Sequence, residues 1–107
     1  MKRGDIVTVA LQGAHGKPRP ALVVQTDSLS TSETLLICPL TSDLAFGSPH
    51  RMRLEPSDTN GLKNVSLVMV DNVQAAPVIR CDKVIGRIND EQQRLIDASL
   101  LFVFGLD

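Results

Sequence analysis

Short apolar runs broken by polar turns make up most of the chain, and only its last segment carries a helical period. Asp5-Ile6-Val7-Thr8-Val9-Ala10-Leu11 is β-branched and partly alternating, which predicts a first strand. Residues 12–19, with Gly13 and Gly16, read as a loop. Pro20 to Gln25 is apolar on both faces, the pattern of a central strand. Thr26 to Ser32 is hydroxyl-rich and reads as a turn or short helical turn. Thr34 to Cys38 predicts a third strand, ended by Pro39, and a polar loop runs from Thr41 to Pro49. Arg51-Met52-Arg53-Leu54 alternates as an edge strand does. Pro56 to Lys63 is a turn cluster around Asn60-Gly61, a hairpin signal. Val65 to Val70 predicts another strand, and Val73 to Ile79, interrupted by Pro77, an edge strand or strand pair.

A helix closes the chain. Asn89 suits the N-cap, Asp90 and Glu91 fill the first turn against the helix dipole, and Gln92 stands at N3. Leu95, Ala98, Ser99, Phe102, Val103 and Leu106 recur at helical spacing as one apolar face, and Gly105 suits the C′ position. Leu101 and Phe104 fall outside that stripe, a surplus that fits a dimer contact or a wide core face. The fold class that follows is mainly β with a C-terminal helix (α+β), a small curled antiparallel sheet or barrel forming one domain over residues 1–107.

Composition narrows the choice of partners. With 43% hydrophobic and 21% charged residues in 107, the chain is an ordinary globular domain. Its net charge of −1 excludes binding nucleic acid by bulk charge, so an anionic partner must meet a local patch. Lys2, Arg3, Lys17, Arg19, His50, Arg51 and Arg53 gather in the N-terminal half, an asymmetry compatible with an RNA groove or with solvated surface. Cys38 and Cys81 each sit in an apolar run and read as buried free thiols. No Cys/His cluster has metal-ligand spacing, so neither a metal site nor a cofactor is expected. The N-terminus lacks the apolar stretch of a signal peptide and no run has the length of a membrane span, so a cytoplasmic protein is expected.

One segment carries candidate chemistry. Gly16-Lys17-Pro18-Arg19-Pro20 runs straight into Ala21-Leu22-Val23-Val24-Gln25. The prolines fix φ on both sides of Arg19, a stiff mount for a permanent cation that must meet a phosphate in one orientation. Alone, the segment is also what a solvated arginine ahead of an ordinary strand looks like.

Arg3-Gly4-Asp5-Ile6-Val7, then Lys17 to Val24, Pro39-Leu40-Thr41-Ser42, Val68-Met69-Val70-Asp71-Asn72 and Ile85-Gly86-Arg87-Ile88 together resemble the MazF/PemK family of toxin ribonucleases, in the family's order and over almost the whole chain. The resemblance implies an SH3-like barrel with a C-terminal helix, assembled as a homodimer. It implies a toxin of a type II toxin–antitoxin system, a sequence-selective endoribonuclease that cuts single-stranded RNA without metal by 2′-OH attack. It also implies an antitoxin partner whose disordered, acidic and apolar tail lies over the RNA groove and folds on binding.

The family's catalytic pair falls on Arg19 and Thr41. A guanidinium that stays protonated suits electrostatic stabilisation better than proton transfer, and the Thr41 hydroxyl suits donation to a phosphate oxygen or capping of its own turn. Candidate substrate contacts are His15, Lys17, Ser42, Asp43, Phe46, His50 and Arg51, with Gln12 and Asn72 as further polar groups for base recognition. His15 and His50 also have the ordinary pKa for proton transfer, though surface histidines are the plainer reading. There is no Trp or Tyr, and Phe46 alone offers a ring in these loops, so stacking on bases is limited. Two alternatives stand beside this reading. A CcdB-like topoisomerase poison would need a terminal Trp-Gly-Ile, whereas this chain ends Phe104-Gly105-Leu106-Asp107. A non-catalytic small-barrel interaction module is the other.

Overall fold

Strand β3 (Thr34–Thr41) organises the molecule, because three other strands pair with it. In this computed structural model, which describes residues 1–11, 17–45 and 50–107, β3 carries β2 (Arg19–Val23) on one edge. On its other edge it carries β6 (Gln74–Pro77) and β5 (Ser66–Val68), one after the other. The sheet extends from β2 through β1 (Asp5–Val9) to β7 (Cys81–Arg87), and from β5 to β4 (Met52–Leu54) at the far edge. Every pairing is antiparallel. The result is a strongly curled sheet, a half-barrel, with α1 (Asp90–Val103) packed against it.

Side-chain alternation divides the core in two. Ile6, Leu22 and Cys38 point to one face and join Leu40, Leu54, Val68, Val70 and Ile96 under the helix. Val7, Val9, Ala21, Val23 and Ile37 point to the other and pack with Leu35 and Ala76. β2 is thus buried on both faces, as its continuous apolar run predicts.

Pro39 does not end β3, contrary to expectation. Its carbonyl accepts from the Met69 amide at 2.9 Å. The N–H and C=O of one strand residue point to the same edge, so the amide that proline lacks faces the break between the β6 and β5 pairings. No rung of the β2 ladder is lost there. β7 is a strand the sequence reading did not assign, because its bulged register against β1 obscures the alternation. Asn60-Gly61 is not a two-residue hairpin turn. It lies in the long β4–β5 connection, where the buried Asn60 side chain accepts from the Ser57 and Leu62 amides at 3.0 Å each and donates to the Glu55 carbonyl at 2.7 Å.

The helix ends are as read from sequence. Asn89 and Gln92 form a reciprocal capping box. Gly105, at φ +71°, completes a Schellman motif in which the Leu106 and Gly105 amides reach the Leu101 and Phe102 carbonyls. The buried face is only in part the predicted one, sharing Val103 with it. Ile96 is fully buried, with Leu100 and Val103 packed beside it, whereas Leu95 and Phe102 are 54% and 50% exposed and Leu106 is exposed. The core-facing stripe is therefore 96–100–103, turned by about one residue from the 95–98–102 row. No described helix is long and apolar enough to cross a membrane.

Candidate functional site

The curl of the sheet opens a groove of about 890 Å³, floored by β1, β2 and β3 and walled by the 61–64 segment and β7. Two prolines shape its mouth. β2 and β3 pair through Val23–Ile37, Leu22–Cys38 and Ala21–Pro39. Pro20 follows and has no N–H to donate to the next rung. The pairing stops there, and the strand ends beyond it carry Arg19 and Thr41. Continuing the register sets Arg19 against Thr41, and both line the groove. A long and a short side chain can therefore both present donors to a ligand lying in the groove.

Each of the pair is prepared differently. Arg19 is exposed, and the ion pairs among the described residues, Arg3–Asp97, Arg51–Asp71 and Arg53–Glu55, do not include it. The half-buried Thr41 hydroxyl accepts from the Asp43 amide at 3.1 Å, and the Asp43 carboxylate accepts from the Ala45 amide at 3.0 Å. Capping its own turn and serving a ligand are therefore compatible roles for Thr41. The oxygen's lone pair is used locally, which leaves its O–H to donate outward.

The other sequence candidates divide. Ser42, Asp43 and Asn72 line the groove. Lys17 is exposed two residues before Arg19 but does not line it. Arg51 is engaged by Asp71 through Nε–Oδ1 at 2.9 Å and Nη2–Oδ2 at 3.2 Å, with 17% of its side chain exposed. That hydrogen bond from Arg51, foremost, holds the Asp71 carboxyl below its ordinary pKa. His50 stacks on Phe102, ring centroids 4.1 Å apart, and ties the end of the 42–50 connection to α1. Neither His50 nor Arg51 lines the groove. His15, Phe46 and Gln12 lie outside the described residues.

Sequence reasoning missed Thr8, Lys63, Asn64, Gln74 and Lys83, all of which line the groove. Reading Lys83-Val84-Ile85 as a strand would have set Lys83 and Ile85 on one face. Arg19, Lys63 and Lys83 face one carboxylate there, Asp43, so the groove is locally positive in a chain of net charge −1. Cys38, under the floor, has its thiol pKa pushed up to about 12 by burial and then by the Asp71 charge. Among the described residues no three His, Cys, Asp or Glu side chains gather as a metal centre.

Comparison with known proteins agrees with this geometry. Residues 2–104 match the family of PemK-like, MazF-like toxins of type II toxin–antitoxin systems. A probable endoribonuclease MazF of Mycolicibacterium smegmatis is 35% identical over 107 residues, spanning 99% of this chain and 98% of that protein. Among solved structures, Mycobacterium tuberculosis toxin MazF-mt6 superposes with a TM-score of 0.81 at 25% identity, covering 96% of this chain and 98% of that one. MazE-MazF from Deinococcus radiodurans matches with a TM-score of 0.81 at 20% identity, covering 100% and 97%, a likeness of fold. The chain belongs to the PemK-like, MazF-like toxin family.

Proposed function

We propose, on the premise of that membership, that the protein is an endoribonuclease toxin that cuts single-stranded RNA through its own 2′-hydroxyl. The observation that carries the reading is the presence of Arg19 and Thr41 in one positive groove, at the ends of neighbouring strands no longer paired to each other beyond Ala21 and Pro39. The 2′-oxygen attacks the adjacent phosphorus and loses its proton, the bond from phosphorus to the 5′-oxygen breaks, and that oxygen takes up a proton. The products are a 2′,3′-cyclic phosphate and a 5′-hydroxyl. The protein must hold the attacking oxygen in line and stabilise charge on the non-bridging oxygens. Arg19 supplies a fork of N–H donors and a fixed positive charge. Thr41 supplies one O–H already oriented by the Asp43 amide. Neither step calls for a metal ion.

Base selectivity in this reading comes from Ser42, Asp43 and Asn72 on the groove wall, with Lys17, His15 and Phe46 as further candidate contacts. Capture of an antitoxin tail across the same groove would block RNA directly. The working form is a cytoplasmic homodimer that covers exposed apolar residues of the C-terminal segment, among them Leu101, Phe104 and Leu106.

The test is cleavage of a long single-stranded RNA in EDTA, with the new 5′ ends mapped. We expect cuts at one short motif. Arg19→Ala should lower kcat/KM by ~10²-fold or more, the scale of one preorganised donor to a developing oxyanion, and Thr41→Ala by ~10-fold or more, as for a hydrogen bond to a charged group. Equal cleavage by both variants would overturn the assignment.

A further inference from the structure

The groove contains more cationic chemistry than one scissile phosphate uses. Lys63 lies just past the 57–61 turn and Lys83 on β7, and both line the groove away from Arg19. They are exposed, and no ion pair among the described residues includes either. Their backbones are pressed together. A β-carbon on Gly61 would overlap the Ile85 carbonyl oxygen, and one on Gly86 would overlap the Asn60 carbonyl. The Arg87 amide also donates to the Thr59 carbonyl at 2.8 Å. The two lysines therefore stand on one rigid wall, which limits the entropy lost when they engage a ligand together.

Their position relative to Arg19 is set by the sheet. β7 lies two strands from β2, across β1. Two strand spacings of ~4.8 Å put the backbones roughly 10 Å apart, which lets the cations be spread over successive phosphates of one strand. Between them on the floor lies Thr8, whose Oγ1 is buried and is the one buried side-chain oxygen or nitrogen among the described residues with no hydrogen-bond partner.

We infer that Lys63 and Lys83 form a second phosphate subsite on the wall across the groove from Arg19 and Thr41. This rests on the ribonuclease reading and adds that the substrate must extend past the cut on one side. The lysines bind and position; they do not touch the reacting atoms.

The experiment measures binding and cleavage separately. An RNA spanning the mapped cut, with 2′-deoxyribose at the attacking position, is titrated by fluorescence anisotropy over a range of salt. The proteins are wild type, Lys63→Ala, Lys83→Ala, the double variant, and Lys2→Ala as an off-groove control. Each groove lysine should reduce the slope of log affinity against log salt by ~0.7, the value for one phosphate contact on a single strand, and the double variant by about twice that. On cleavable RNA the double variant should raise KM about tenfold with kcat within about twofold, the signature of uniform binding. A methylphosphonate at the engaged flanking phosphate should weaken wild type and leave the double variant unchanged. An unaltered salt slope in the double variant, with wild type cutting normally, overturns the subsite and leaves the ribonuclease reading standing. A loss in kcat with no change in slope also overturns it, by placing the lysines in the chemistry. Wild type that neither binds nor cuts RNA removes both readings.

Discussion

A thiol pushed up to about 12 by burial and by a neighbouring carboxylate carries no charge at neutral pH and makes no nucleophile. Cys38 should therefore resist a thiol reagent in the native state and react only on unfolding, after the half-buried Cys81. Its folded pKa lies above the ~8.5 of a free thiol. The contribution of Cys38 to stability is thus complete below about that pH and is lost as pH rises toward 12. Urea midpoints measured from neutral to alkaline pH should fall more steeply for wild type than for Cys38→Ala. Native labelling of Cys38 as fast as in urea would refute this. Residues are also where the sequence was most and least informative. Pro18-Arg19-Pro20 announced a mounted cation because its constraint is local. That Arg51 is held by Asp71, twenty positions on, and His50 by Phe102, is a product of tertiary contact and was hidden.

Among the elements, α1 declared its ends through Asn89, Gln92 and Gly105, all local hydrogen-bonding devices. Its buried face was misread because Leu95, Phe102 and Leu106 are apolar yet exposed, so hydrophobicity alone did not mark the core side. β7 was missed for the related reason that a bulged strand breaks the period of two. Its contact with the 57–61 turn gives an element-scale prediction. Gly86→Ala drives a β-carbon into the Asn60 carbonyl and should cost ~1–3 kcal/mol, the range for overpacking, measured by urea unfolding. It should also raise KM for RNA by displacing the wall that carries Lys83. Gly105→Ala meets no atom within 4 Å and bears only the strain of its φ of +71°, so it should be milder and leave KM alone. Equal costs at the two glycines would show that the wall yields.

At the scale of the whole molecule, the half-barrel was legible from several short strands and one terminal helix, but the groove was not. Its floor was visible as the Arg-Pro and Pro-Leu-Thr segments. Its second wall depends on which distant strands the curl brings face to face. The exposed apolar residues at the end of the chain, Leu101, Phe104 and Leu106, are the other global feature. Sedimentation equilibrium should find a dimer at micromolar concentration and a folded monomer for Phe104→Asp with Leu106→Asp. A wild-type monomer at tens of micromolar would overturn the homodimer.

The pairing of β1 with β7 joins residues 5–9 to residues 81–87. The first strand of this chain waits for nearly the last piece of it. During synthesis the hairpin of β1 and β2 and the strand bearing Thr41 emerge early, but the floor has no second wall until residue 87 has left the ribosome, and no cover of its core until α1 follows. A chain that cuts RNA is itself made on RNA. The order of its strands leaves the groove incomplete until β7 has been made.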